Sequence, residues 1–214
     1  MRRFRLPASI AAALLIFAAA GVSAQQGQQG VFTNSADIGT TKPGSSIYDP
    51  AAKTYKITGG GADMWFAADD FHFDWVKLRG DVTITADIAF TPQPAQQLAK
   101  AVLIVRQSLD PASPYADVAI HADGHITLQY RATTANQTED KTAPEHKSTR
   151  LKLTRKGNVF TAYAQKPDGT MDAFATYTLP MTGDVYVGLG VCAHDANGLA
   201  TATFSNVTVE RAAH

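Results

Sequence analysis

Val82-Thr83-Ile84-Thr85-Ala86-Asp87-Ile88 alternates apolar and polar residues without a break. That period of two is the mark of a strand with one buried face, because successive side chains on an extended backbone point to opposite sides. The pattern returns at Leu151-Lys152-Leu153-Thr154. It appears again at Thr201-Ala202-Thr203-Phe204-Ser205, ahead of Val207 and Val209. Two further runs, Ala101 to Val105 and Val185 to Val191, are apolar on both faces, as strands in the middle of stacked sheets must be.

Turn signals separate these runs: Gly59-Gly60-Gly61, Arg79-Gly80-Asp81, Asp123-Gly124, Gly157-Asn158, Asp168-Gly169, Gly183-Asp184 and Asn197-Gly198. Such punctuation predicts hairpins. Helical periodicity after residue 25 is confined to one polar turn around Pro94 to Lys100. The expected fold is therefore all-β, with at least two layers. Ala132 to Ser148 is polar, carries Pro144, and reads as a long surface loop. No internal repeat points to a propeller or solenoid.

The N-terminus reads as a secretory signal. Arg2, Arg3 and Arg5 precede an apolar stretch from Ile10 to Ala20, and Val22-Ser23-Ala24 forms a small-residue cleavage site. Cleavage after Ala24 makes residues 1–24 the leader and residues 25–30 a flexible Gln/Gly lead-in. Residues 31–214 are then a single β-domain. The leader's apolar stretch is shorter than the ~20 residues that span a bilayer, and no later segment spans. No cysteine stands just after the cut, where a lipid anchor would need one, so the expectation is a chain free in the periplasm or outside the cell.

Loss of the leader's three arginines leaves 16 basic against 19 acidic residues, a net charge of −3. Nucleic acid and anionic lipid call for a basic patch, so neither is expected as a partner. Cys192 is the single cysteine, which rules out an intramolecular disulfide and reads as a buried thiol between Val191 and Ala193. The sequence is silent on oligomeric state.

The order of segments resembles bacterial domains of the concanavalin A-like lectin/glucanase superfamily, of the kind related to the C-terminal domains of β-xylosidases. In the first half the resemblance is carried by Tyr48-Asp49-Pro50, by Gly59 to Trp65, by Asp70-Phe71-His72-Phe73 and by Leu78-Arg79-Gly80-Asp81. It continues through Ala101 to Arg106, Ser108-Leu109-Asp110-Pro111, Leu151 to Asn158 with Phe160-Thr161-Ala162-Tyr163, Val185 to His194 and Leu199 to Val207. It implies a jelly-roll, two-sheet antiparallel β-sandwich with a concave face on which relatives hold sugars. It does not imply catalysis.

Glycoside cleavage needs two carboxyls, one to protonate the leaving oxygen and one to attack or activate water. Glu139, Glu145 and Glu210 are the only glutamates, and none alternates along a strand. Asp70 and Asp74 flank His72 on one strand face, which puts their Cα atoms roughly 7 Å apart per two residues of separation. They are the acids of a rival glycosidase reading, against the plainer reading of rim and turn aspartates. No Gly-x-Ser-x-Gly elbow and no Cys/His metal spacing occurs. A structural calcium ion would find oxygen ligands at Asp63 or at Asp195 to Asn197, where ordinary turn aspartates explain the residues equally.

Sugar binding needs an aromatic platform and fixed polar groups. Trp65, Trp75 and Tyr130 are the platforms, with Trp75 sharing a face with Phe71 and Phe73 and so reading as core. Arg106 ends an apolar strand, where its guanidinium must reach water, a carboxylate or a ligand. His194 closes another. The expected ligand-binding set is Trp65, His72, Arg106, Tyr130 and His194, with no catalytic residue and no cofactor beyond a possible calcium. The resulting reading is an exported, lectin-like module for a saccharide or glycosylated partner. The alternatives are a glycoside hydrolase or an accessory module that meets another envelope protein.

Overall fold

The computed structural model describes residues 30–144 and 148–211. The leader, its cleavage site and all of the Gln/Gly lead-in except Gly30 lie outside them. Fourteen strands and no helix are present among the described residues. They are β1 (Asn34–Ile38), β2 (Ser45–Asp49), β3 (Thr54–Gly61), β4 (Phe71–Arg79), β5 (Val82–Phe90), β6 (Lys100–Arg106) and β7 (Tyr115–His121). The chain continues with β8 (Ile126–Arg131), β9 (Glu139–Thr142), β10 (Arg150–Lys156), β11 (Val159–Gln165), β12 (Met171–Thr178), β13 (Asp184–Cys192) and β14 (Asp195–Arg211).

The strands form two antiparallel seven-stranded sheets, β1-β4-β13-β6-β7-β8-β9 and β12-β11-β10-β5-β14-β3-β2. The expected sandwich is present. The alternation that predicted β5 does what it must: Val82, Ile84, Ala86 and Ile88 enter the core between the sheets, with Leu151 and Leu153 of β10 and Ala202 and Phe204 of β14. β6 and β13, apolar on both faces, are neighbours within the first sheet. Their inward residues Leu103, Val105, Val187 and Leu189 meet the second sheet. Their outward residues Val102, Ile104 and Cys192 join a second apolar cluster with Met64, Phe71, Phe73, Trp75 and Tyr115.

Three expectations change. The stretch 132–148 is not loop throughout, because β9 pairs with β8 at the sheet edge. Every residue of β9 is exposed, so it has no apolar member by which a pattern could reveal it. Residues 94–99 form bends and a turn before β6, and no helix. Gly59-Gly60-Gly61 is the end of β3 and makes no turn. A Cβ on Gly59 would meet the Val191 carbonyl, and one on Gly61, at φ 113°, would meet the Asp70 carbonyl. The glycines let backbones approach closely and release the chain into the segment that carries Trp65.

Candidate functional site

Register builds the outward face of the first sheet from rows of paired residues. One row runs Cys192, Lys100, His121; the next Gly190, Val102, Ala119, Thr127; the third Gly188, Ile104, Asp117, Gln129; the last Tyr186, Arg106, Tyr115, Arg131. In an ordinary sandwich such a face is solvated, yet Lys100, Arg106, Asp117, His121, Gln129 and Arg131 are all buried here. Burial of so many polar groups requires partners or a ligand.

At one end the partners are internal. Arg131 donates from Nη1 to Asp69 Oδ2 at 2.7 Å and from Nη2 to Asp69 Oδ1 at 2.6 Å, and Arg106 Nη1 donates to Asp69 Oδ2 at 2.5 Å. Remaining N–H groups go to carbonyls: Arg106 to Ser108 and Asp110, Arg131 to Phe66, Ser113 and Asn136. Phe71 and Tyr115 lie against the guanidinium planes. Burial alone would depress Arg131, but its hydrogen bonds to Asp69 and the charge of Asp69 outweigh it and hold the guanidinium above its ordinary value. The cluster fastens the segment before β4 and the β6–β7 connection onto the sheet.

At the other end a hollow of about 240 Å³ remains. Trp65, Leu98 and His194 wall it, while Lys100, His121 and Gln129 come up from the strands, with Asp63 beside them. Lys100 Nζ donates to Asp63 Oδ1 at 2.8 Å, and His194 Nε2 stands 3.3 Å from Asp63 Oδ2. His194 has φ 52°, a left-handed backbone at the turn from β13 to β14 that is sparsely used by residues other than glycine. Trp65 is fixed through its neighbours: its carbonyl accepts from the Thr138 N–H at 2.7 Å, and the Tyr115 hydroxyl donates to the Met64 carbonyl at 2.9 Å.

The floor carries an unengaged acceptor. Gln129 Oε1 is buried at the lining and lacks a hydrogen-bond partner. The carboxyl of Asp117, paired with Gln129 from β7, is buried beside it, and the Gln129 backbone N–H is the amide that helps it most. Burial pushes the Asp117 carboxyl well above the usual carboxylate range, against the pull of Lys100. His121 moves the other way: burial, then the Lys100 ammonium and the His125 ring, lower it to about 3, so its ring is neutral. Such a floor is suited to a ligand rich in hydrogen-bond donors.

Trp65 also lines a second, larger hollow of about 560 Å³ with residues 136–140. The indole is shared by the two.

Of the residues expected from sequence to bind ligand, Trp65 and His194 converge on the first hollow. Arg106 does not reach it, being sealed against Asp69. Tyr130 points the other way, into the core between the sheets, where it stacks on Tyr177 with ring centroids 3.5 Å apart. His72 lies in β4 on the face opposite Phe71 and Phe73, held by Asp37 at 2.7 Å and by the hydroxyls of Ser35 at 2.9 Å and Ser46 at 3.2 Å. Asp74 is buried beside it, whereas Asp70 caps the Thr40 N–H from the chain ahead of β4. The two acids of the glycosidase reading therefore serve separate structural contacts, away from the hollow. Trp75 packs on Phe73 in the outward apolar cluster. Asp63 is engaged by Lys100 and His194, and Asp195 caps the Asn197 N–H.

Lys100, Asp117 and His121 escaped the sequence reading. Asp117 and His121 carried the same signal as Arg106, polar residues at period two within the apolar run Tyr115 to His121.

No family model matches the chain, and no curated protein does. Solved structures do. A functionally unknown protein from Saccharomyces cerevisiae aligns with a TM-score of 0.62 at 20% identity, over 81% of this chain and 95% of its own. The carbohydrate binding module CBM66 from Bacillus subtilis aligns at 0.52 and 16% identity, over 85% and 98%. The GH43 protein BlXynB from Bacillus licheniformis aligns at 0.52 and 13% identity, over 79% of this chain but 37% of that one. These likenesses show the fold, a two-sheet antiparallel β-sandwich.

Proposed function

We propose that the chain is an exported, non-catalytic module that holds a saccharide in the hollow between Trp65 and His194. One observation carries the reading: Gln129 presents an unpartnered acceptor at the floor of a cavity walled by an indole. A sugar ring offers what that arrangement lacks, hydroxyl donors for the floor and an apolar C–H face for the tryptophan. Two of the structural neighbours are by name a carbohydrate binding module and a GH43 protein, which adds support. The absence of cleavage is supported by the state of the acids here. Asp63 is held between Lys100 and His194, and Asp117 is sunk among the strands. Export rests on the leader of residues 1–24.

A glycan array probed with the mature chain, followed by calorimetric titration of the hits, tests the reading. Saturable binding that Gln129→Ala weakens is expected, without release of reducing sugar. A blank array, or binding indifferent to Gln129→Ala, removes the hollow from the proposal. Steady release of reducing ends would turn the module into a hydrolase.

A further inference from the structure

We infer that the site continues past Trp65 into a second subsite, formed by residues 136–140, that takes the next unit of an uncharged oligosaccharide and turns away acidic chains. The inference rests on the saccharide reading and narrows it to a ligand class.

Trp65 is a wall of both hollows, so a chain stacked on its indole has room on either side. The first hollow, about 240 Å³, falls below the ~300–1,000 Å³ of typical small-molecule sites and suits a single ring. The second, about 560 Å³, has room for the adjoining sugar unit. The sheet runs beneath both. Gln129 in β8 pairs with Asp140 in β9, so the period of two puts the Asp140 side chain on the face where Gln129 Oε1 lies buried and unpartnered. The wall is preformed: Arg131 Nε donates to the Asn136 carbonyl at 2.9 Å, and the Thr138 N–H reaches Trp65.

Its chemistry is one-sided. Asn136 and Gln137 offer donors and acceptors for hydroxyls, and Asp140 adds negative charge. Glu139, paired with Tyr130, turns its carboxylate to the Tyr130 hydroxyl at 3.1 Å on the other face. The basic residue of this strand, Lys141, turns instead to the Thr176 carbonyl at 2.6 Å and the Tyr177 ring. A uronate or sulfate here would meet the Asp140 carboxylate without a compensating cation, and like charges brought together are disfavoured.

Calorimetric titration of the monomer-to-hexamer series of xylose, glucose, mannose and galacturonic acid separates the outcomes. The expected result is a neutral series in which the dimer or trimer binds at least about tenfold more tightly than its monomer. In Asp140→Ala that ratio falls toward one. A neutral monomer that binds as tightly as its hexamer overturns the second subsite and leaves the saccharide reading standing. Tighter binding of the galacturonate series overturns the assignment of ligand class. No binding in any series, with a blank glycan array, removes both.

Discussion

Arg131 grips both carboxylate oxygens of Asp69, at 2.7 and 2.6 Å, where neither side chain meets solvent. Arg106 shares one of those oxygens, so a single acid compensates two buried cations. Asp69→Ala should therefore lower unfolding free energy by roughly 3–5 kcal/mol, the effect of leaving a buried charge uncompensated. Urea denaturation reads it directly. A loss under about 1 kcal/mol would mean that the carbonyls around the guanidiniums suffice without the acid.

Trp65 is only partly buried and belongs to neither apolar cluster. Trp65→Ala is expected to weaken saccharide binding by about 10- to 100-fold, since an aromatic face covered by ligand contributes some 1.5–3 kcal/mol. Unfolding free energy should move far less than in Asp69→Ala. Calorimetry and urea titration on the same preparation distinguish the two effects, and unchanged affinity would take the indole out of the site.

Two buried titratable groups of β7 impose opposite pH dependences. His121 has its folded value lowered to about 3 from an ordinary 6.5. The stability it lends is complete above pH 6.5 and is lost as pH falls toward 3, by roughly 3 kcal/mol between pH 6.5 and 4. Asp117 has its folded value raised, so it favours the folded state while protonated and opposes it as pH climbs above 3.8 through that raised value. Asp117→Asn should accordingly melt higher than the parent at pH 7.5 and equally at pH 3.5. His121→Asn should flatten the acid limb of the parent's melting curve. Parallel pH profiles of parent and variants would show that neither side chain is desolvated.

Burial pushes the Cys192 thiol up to about 12, and its sulfur faces the Gly61 carbonyl at 3.6 Å. The thiolate is the reactive form, so a disulfide reagent at pH 8 should leave the folded chain unmodified and label it stoichiometrically in guanidinium. Rapid labelling of the folded chain would reveal an opening between β13 and the end of β3.

The layers were legible because burial writes itself into alternation: Val82 to Ile88 and Leu151 to Thr154 have one dry face and one wet face, and the pattern says which. β9 left no trace, since an edge strand exposed throughout has no apolar face to write into the pattern. The site was legible in part. Trp65 and His194 stood out by residue type and position, but Arg106 satisfied its need for a partner with Asp69, a residue from a distant loop that spacing could not connect to it. Tyr130 and Gln129 are adjacent on one strand and face opposite ways, and which of them meets the core depends on the neighbouring strands. Asp117 is the instructive omission. A carboxyl amid Ala116, Val118 and Ala119 violates the pattern around it, and such violations gather where a protein does something other than fold.

The floor of the hollow comes from one uninterrupted meander, β6 through β8, whereas Trp65 and His194 arrive from far earlier and far later in the chain. Scaffold and selectivity are thus separately heritable. On the saccharide reading proposed above, a short insertion or exchange at either rim would redirect the module to a different glycan while the meander, with its hairpins, passes through unchanged.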